Sequence, residues 1–201
     1  DPGELSRSLE AADPKGHDWH VLQLGGLTEG SDSLHAVASA FSNGYNVRLG
    51  YPCRRDIAEF EGGVEQYLKG KSRKFRQNLR RAQSACLREG VTWERITTGE
   101  PLAIYQRIQS IEAQSWKGLQ AAGINVGDMH DFYALMVDRL IRNGRLRLLF
   151  ARAHDRDLAY VLGGVSHQIF RGLQFAFRHD YERLGLGNAG HPKTLCLRPG
   201  I

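Results

Sequence analysis

"RLRLLFARAHDRDLAYVLGGVSHQIFRGLQFAFRHDYERLGLG" runs from Arg145 to Gly187. "RLRLLFAR" (145–152) is an apolar run between Gly144 and a polar tetrapeptide, and it reads as a strand. "HDRD" (154–157) reads as a turn, and "LAYVLGGVSHQIF" (158–170) as a second strand. "RG" (171–172) is expected to turn the chain again. In "LQFAFR" (173–178), Leu173, Phe175 and Phe177 alternate onto one face. Three consecutive strands with such short connections make an antiparallel meander.

Helices precede the meander. Pro101 opens one over 101–117, with Ile104, Tyr105, Ile108 and Ile111 inside and Trp116 near its end. A second spans 130–143 and closes at Gly144, with Phe132, Leu135, Met136 and Leu140 as its inner residues. "VTWERIT" (91–97) reads as a strand. Nearer the start, "WHVLQLGGL" (19–27) and "YNVRLGY" (45–51) read as strands. Between them, "SDSLHAVASAFSNG" (31–44) carries Leu34, Val37, Ala38 and Phe41 at helical spacing, with Asp32 to cap it and Gly44 to close it. Residues 1–18 are polar, contain Pro2 and Pro14, and read as a linker. The expected fold is α/β, with helices on a mainly antiparallel central sheet. The expected organisation is a linker (1–18), a strand-helix-strand segment (19–63) and one larger domain (64–201).

"KGKSRKFRQNLRRAQSACLREG" (69–90) carries eight basic side chains and one acid, so the net charge of +5 is concentrated at one place. Phe75, Leu79, Ala82 and Cys86 make an apolar helical face, Ser72 an N-cap and Gly90 a C-terminal stop. Arg73, Arg76 and Arg80 lie on another face, with Lys74, Arg81 and Arg88 beside them. Four readings stay open: a solvated face, phosphate recognition by bidentate arginine, nucleic-acid binding, and an anionic membrane surface. Phe75 sits on the apolar stripe rather than among the arginines, where a single-strand binder would stack bases. The outer face also lacks an aromatic side chain that would insert into lipid.

A hydrophobic share of 41% against 24% charged residues suits a globular chain. No apolar run reaches the length of a membrane helix. Cys53, Cys86 and Cys196 lack metal-type spacing and read as reduced thiols of a cytoplasmic protein. The histidines are scattered, so no metal site is expected.

"ERLGLGNAG" (182–190) follows the last strand. Gly185 and Gly187 allow a close backbone approach, and a helix starting at about 187 would present free N–H groups to a pyrophosphate. The alternative is two glycines making a tight turn. A meander followed by a glycine turn and a helix start resembles the GNAT superfamily of acyltransferases, whose signature is (Gln/Arg)-x-x-Gly-x-(Gly/Ala). Here the frame reads Glu182-Arg183-Leu184-Gly185-Leu186-Gly187. Both glycines match, while the first position holds Glu182 and Arg183 stands one place later.

A longer resemblance covers about 64–187. "YLKGKSRKFRQNLRR" (67–81) matches the Y-L-x-x-x-S-x-K-x-R-x-N-L-R-R helix start of the CelD/BcsL-type acetyltransferase-like domain, a GNAT branch related to the FemABX peptidyltransferases. "IEAQSWKG" (111–118), "NGRLRLLFA" (143–151) and the D-Y…G-x-G ending fit the same domain. Family members continue with a long helix past the glycine turn. Little of "NAGHPKTLCLRPGI" (188–201) reads that way, so the C-terminal part of the domain is expected to be incomplete.

The resemblance implies an acyl-CoA N-acyltransferase without a metal, acting on an amino group of a small molecule, such as a sugar or polysaccharide precursor of exopolysaccharide biosynthesis. A FemABX-like transfer from aminoacyl-tRNA and a nonenzymatic module binding nucleic acid or an acidic partner through 69–88 are the alternatives. The resemblance places the cofactor at Arg183, Leu184, Gly185, Leu186, Gly187 and Asn188, and the pantetheine arm on amides around Ala176–Arg178. Asp180 and Tyr181 are the catalytic candidates, with Asp180 able to accept a proton or orient the amine. His167 and His179 are further possible bases. Arg73, Arg76 and Arg80 are candidates for phosphates. Trp116 is a candidate for the acceptor pocket, against the commoner role of a core tryptophan.

Overall fold

The computed structural model describes residues 20–42, 45–53, 58, 62–166 and 169–195. The chain divides into two compact units, 1–57 and 58–201.

In the first unit, α1 (Asp32–Ala40) forms where the spacing predicts a helix. Ser31 rather than Asp32 caps it, since Leu34 N–H donates to Ser31 Oγ at 3.3 Å. Gly44 lies outside the described residues. The strands expected over 19–27 and 45–51 do not form at the described residues there. Val21, Leu49 and Tyr51 are 81%, 74% and 100% exposed. Apolar residues hold a strand only where a neighbour accepts its ladder and covers one face. Among the described residues no ladder reaches these two segments.

The second unit contains α2 (Gly63–Lys69), α3 (Arg73–Arg88), β1 (Thr92–Ile96), α4 (Pro101–Ala113), α5 (Trp116–Leu119), α6 (Asp128–Arg142), β2 (Leu146–Ala153), β3 (Arg156–Ser166) and β4 (Ile169–Phe177). A 3₁₀ segment (His179–Leu184) and α7 (Leu186–Leu195) follow. The strands lie in the order β1-β2-β3-β4, and every neighbouring pair is antiparallel. Helices flank the sheet, so the chain has the expected mixed α/β fold.

β2 is interior and is buried on both faces, which explains its nearly continuous apolar run. Leu146, Leu148 and Phe150 share one core with Ile104, Ile108 and Ile111 of α4 and Val137 of α6. Ala151 and Ala153 share the other with Ala82 and Cys86 of α3 and with Leu186 and Ala189 of α7. α4 and α6 thus form one layer, and α3 and α7 the opposite one.

Four expectations need correction. The first hairpin turns as predicted, with His154 and Asp155 at φ of 50° and 57°. The second reverses after Ser166, which pairs with Ile169, rather than at Arg171–Gly172. Gly172 lies inside the ladder opposite Gly163, and a Cβ on Gly163 would lie 2.3 Å from the Phe170 ring. At least one of these glycines makes room for a ring rather than for a turn. The helix expected over 101–117 breaks at Gln114. Ser115 Oγ accepts from Gly118 N–H and caps α5, and a Cβ on Gly118 would lie 2.2 Å from the Glu112 carbonyl. On α6 the buried residues are Tyr133 and Val137, with Met136 and Leu140 packed partly against the core. Phe132 and Leu135 are 55% and 70% exposed, because apolar side chains surround that helix and its inner face is rotated from the expected one. Lastly, a helix runs from Leu186 to Leu195, close to the start expected at about 187, although little of 188–201 reads as helical in the sequence; Leu186 and Ala189 are buried.

Candidate functional site

α3 begins at Ser72, whose Oγ accepts from Phe75 N–H at 3.2 Å. It ends in a Schellman pair: Val91 N–H reaches Cys86 O at 2.9 Å and Gly90 N–H reaches Leu87 O at 3.1 Å, with Gly90 at φ +70°. Leu79, Ala82 and Cys86 are buried, and burial pushes the Cys86 thiol up from its ordinary pKa. Arg76 is not a free cation. Its Nη1 donates to Lys69 O at 2.9 Å and to Lys71 O at 2.6 Å, closing the turn between α2 and α3. Arg73, Lys74, Arg80, Arg81 and Arg88 have no carboxylate within ion-pair distance among the described residues.

The glycine bend lies against this helix. Gly185 adopts a left-handed φ of 62° after the 3₁₀ segment, and α7 starts at the next residue. The first α-helical bond runs from Ala189 N–H to Gly185 O at 3.0 Å, so the amides of Leu186, Gly187 and Asn188 precede it. The missing Cβ positions point into the protein. At Gly185 a Cβ would meet Ala82 at 3.3 Å, and at Gly187 it would meet the Phe175 ring at 3.2 Å. Leu184 and Leu186 are buried, so among the expected cofactor residues these two offer only backbone. Arg183 and Asn188 line an open groove of about 440 Å³ between α3 and α7, together with Asn78, Arg81 and Arg88 over a floor at Ala82. Arg183 also lies 3.9 Å from Glu89. Arg73, Arg76 and Arg80, the expected phosphate ligands, do not line this groove.

β4 is the far edge of the sheet. Of the amides expected to hold a pantetheine arm, that of Arg178 is bound to Leu158 O at 2.8 Å. In the same register Phe175 and Phe177 turn their amides away from β3. Phe175 N–H meets Gln174 Oε1 at 3.2 Å, and Phe175 O accepts from Lys117 Nζ at 3.1 Å. Lys117 Nζ also donates to Gln174 Oε1 at 3.2 Å and forms an ion pair with Glu112 Oε1 at 3.0 Å. Glu112 is fully buried and accepts from Tyr160 Oη at 2.9 Å. Burial, followed by the Glu112 carboxylate, pushes the Tyr160 phenol well above its usual pKa.

The remaining candidates separate. Asp180 faces Arg178 through two contacts of 3.3 Å and is exposed. Tyr181 packs against the core on the α3 side. His179 N–H donates to Gln114 O at 2.9 Å, tying the end of the meander to the break after α4. His167 lies outside the described residues. Trp116 is 52% exposed at the start of α5, not in the core. Sequence reading missed Asn78, Arg81 and Arg88 as groove residues, and Glu112, Lys117 and Gln174 as a cluster. Among the described residues no group of three or more His, Cys, Asp or Glu side chains is placed to hold a metal ion, and no helix is long and apolar enough to cross a membrane.

Residues 73–195 match the family described as acetyltransferase (GNAT) domain. A search of curated proteins found no match. Among solved structures, a similar chain is the C-terminal DUF2156 domain of a candidate lysylphosphatidylglycerol synthetase from Agrobacterium fabrum. It is 15% identical with a TM-score of 0.44, and the alignment covers 61% of this chain and 37% of that one. The present chain therefore spans little more than a third of that structure's length.

Proposed function

We infer the function from one premise: the chain belongs to the acetyltransferase (GNAT) domain family. Acyl transfer follows from that membership. We propose that the donor is acyl-CoA and that the acceptor is an amino group. The observation that supports acyl-CoA is the groove between α3 and α7, where Arg81, Arg88 and Arg183 stand beside the bend at Gly185. Three guanidiniums and the first amides of α7 suit a diphosphate, which carries its charge on oxygens that accept several hydrogen bonds. From that end, the outer edge of β4 offers a path for the pantetheine arm at Phe177, whose amide turns away from β3, and the Phe175 ring lies against Gly187.

When bound, acyl-CoA supplies a thioester. The acceptor nitrogen forms the C–N bond, the C–S bond breaks, the thiolate takes a proton, and the amine gives one up. The chain's part is to align the partners and to stabilise charge on the carbonyl oxygen. Asp180 serves this reading as an orienting carboxylate rather than a free base, because Arg178 holds both its oxygens. Trp116, exposed on the side of the sheet that carries α4, is proposed for the acceptor pocket. A saccharide amine rests on the CelD/BcsL resemblance and a cytoplasmic setting on the reading of the cysteines as reduced thiols, and both belong to the same proposal. Isothermal titration with acetyl-CoA tests it. Saturable binding with a Kd on the order of micromolar is expected, and a flat trace up to millimolar ligand sinks the reading.

A second reading rests on a different observation. Arg73, Lys74 and Arg80 lie outside the groove and have no carboxylate partner among the described residues. Such a row suits a polyanion, either a nucleic acid held by a binding module or an aminoacyl-tRNA donor. Nucleic acid that co-purifies and is released by high salt favours this reading over a small acceptor.

A further inference from the structure

The strongest unassigned feature is the cluster at the open edge of β4. Lys117 Nζ lies within 3.2 Å of three acceptors: Glu112 Oε1, Gln174 Oε1 and Phe175 O. The contacts with Gln174 Oε1 and Phe175 O are hydrogen bonds donated by the ammonium, and the contact with Glu112 Oε1 is an ion pair that holds the charge in place. The consequence falls on Gln174. Its Oε1 faces two groups that can only donate, the Lys117 ammonium and the Phe175 amide. Only the carboxamide oxygen can meet both, so the side chain has one allowed flip. The two protons on Nε2 then have no acceptor among the described residues, on a half-buried side chain of an edge strand.

The support beneath this arrangement is rigid. Glu112 is fully buried on α4 and is held by Tyr160 Oη at 2.9 Å. Gly123 approaches so closely that a Cβ there would lie 2.6 Å from Glu112 Oε1. A buried carboxylate is costly, and a buried ion pair is a poor source of stability compared with an apolar contact. Here it fixes the orientation of one carboxamide next to the strand edge along which the thioester is expected to lie.

We propose that Gln174 is a catalytic residue of the acyl transfer, its Nε2 donating to the thioester carbonyl oxygen as negative charge develops there, with Lys117 and Glu112 as positioning residues. The proposal rests on the acyl-CoA reading above. A fixed donor aimed at a developing oxyanion needs no reorganisation during the reaction, which is why such donors accelerate acyl transfer.

The test uses acetyl-CoA and free CoA, which share every group except the acetyl carbonyl and its methyl. One hydrogen bond to that carbonyl should make the intact chain bind acetyl-CoA about fivefold to tenfold more tightly than CoA. In Gln174→Ala that preference should vanish while CoA affinity is unchanged. Acetyl-CoA labelled with carbon-13 at the carbonyl gives a second readout. Its resonance should move downfield on binding to the intact chain and stay near the free value with Gln174→Ala. Lys117→Met, if it folds, should lose the shift although Gln174 is present, as expected of a positioning residue. A preference and a shift that survive Gln174→Ala overturn the assignment. CoA binding with no carbonyl shift in the intact chain overturns Gln174 alone, whereas no CoA binding at all overturns the acyl-CoA reading and this proposal together.

Discussion

Tyr160 Oη donates to Glu112 Oε2 at 2.9 Å, joining an interior strand to α4 by a bond with both residues removed from solvent. Taking away the hydroxyl leaves a buried acceptor without that donor. Tyr160→Phe should therefore lower stability by about 1–3 kcal/mol. Glu112→Ala should cost more, about 3–5 kcal/mol, because Lys117 then loses its counter-ion and a cavity opens. Urea unfolding of both variants checks the order. Equal losses would mean that the hydroxyl, not the ion pair, carries the site.

Four buried acids share one direction of pKa shift. Tyr105, Tyr133 and Tyr160 lie above the ordinary phenol value and Cys86 above the ordinary thiol value, each chiefly through desolvation. In the unfolded chain these groups lose their protons at about pH 10 for Tyr and about pH 8.5 for Cys. Above those values the unfolded state binds fewer protons than the folded one, so stability falls as pH rises. Stability from these groups should decline from about pH 8.5 through Cys86 and from about pH 10 through the tyrosines, by up to about 1.4 kcal/mol per pH unit for each group that titrates. Tyr160→Phe should flatten the decline. Thermal melts between neutral and strongly alkaline pH measure it, and a slope unchanged by the substitution would remove Tyr160 from the account.

What the sequence shows of the fold depends on how local each signal is. The hairpin at His154–Asp155 is legible because its short polar turn separates two apolar runs. The next reversal is misplaced because Gly172 looks like a turn residue while it sits in the ladder opposite Gly163. Nothing local shows that a ring from Phe170 fills the space at Gly163. The strands expected near Val21 and Leu49 fail for the same reason in reverse, since their patterns are right but no partner joins them among the described residues. At the site, Glu112 could have been noticed. It follows Ile108 by four positions on the apolar stripe of α4, where a carboxylate needs an explanation. The groove residues were also within reach: Asn78, Arg81, Ala85 and Arg88 recur at steps of three, four and three along the flank of the buried stripe. Arg73, Arg76 and Arg80 attract attention only because they are charged.

Gly90 and Ser72 bracket α3, and the two ends should respond differently. A Cβ on Gly90 would meet nothing within 4 Å, so Gly90→Ala costs only the left-handed conformation at φ +70°, about 1–2 kcal/mol. Ser72→Ala removes the acceptor of Phe75 N–H and should cost about 0.5–2 kcal/mol. Gly90→Asn, which tolerates the left-handed region, should recover part of the loss at that end. Chemical denaturation of the three variants tests this, and a Gly90→Asn variant no better than Gly90→Ala would exclude backbone strain as the cause.

The arginines of α3 divide into three groups with separable behaviour. Arg81 and Arg88 line the groove, Arg73 and Arg80 stand outside it, and Arg76 is bound to the carbonyls of Lys69 and Lys71. A charge-assisted hydrogen bond contributes about 1.5–3 kcal/mol. Losing one at Arg81 or Arg88 should weaken CoA binding by about tenfold to a hundredfold. Both side chains are exposed, so melting should change little, by less than about 0.5 kcal/mol. Arg73→Ala with Arg80→Ala should leave CoA affinity nearly unchanged and reduce only the binding of a polyanion such as RNA. Arg76→Ala should do the opposite of Arg81→Ala: it should destabilise the α2–α3 turn by about 1 kcal/mol or more with little direct effect on affinity. Parallel calorimetry and melting of the three sets separate the roles. If Arg73 and Arg80 matter for CoA as much as Arg81 and Arg88, the positive field of the whole helix holds the ligand, and the groove does not define its site.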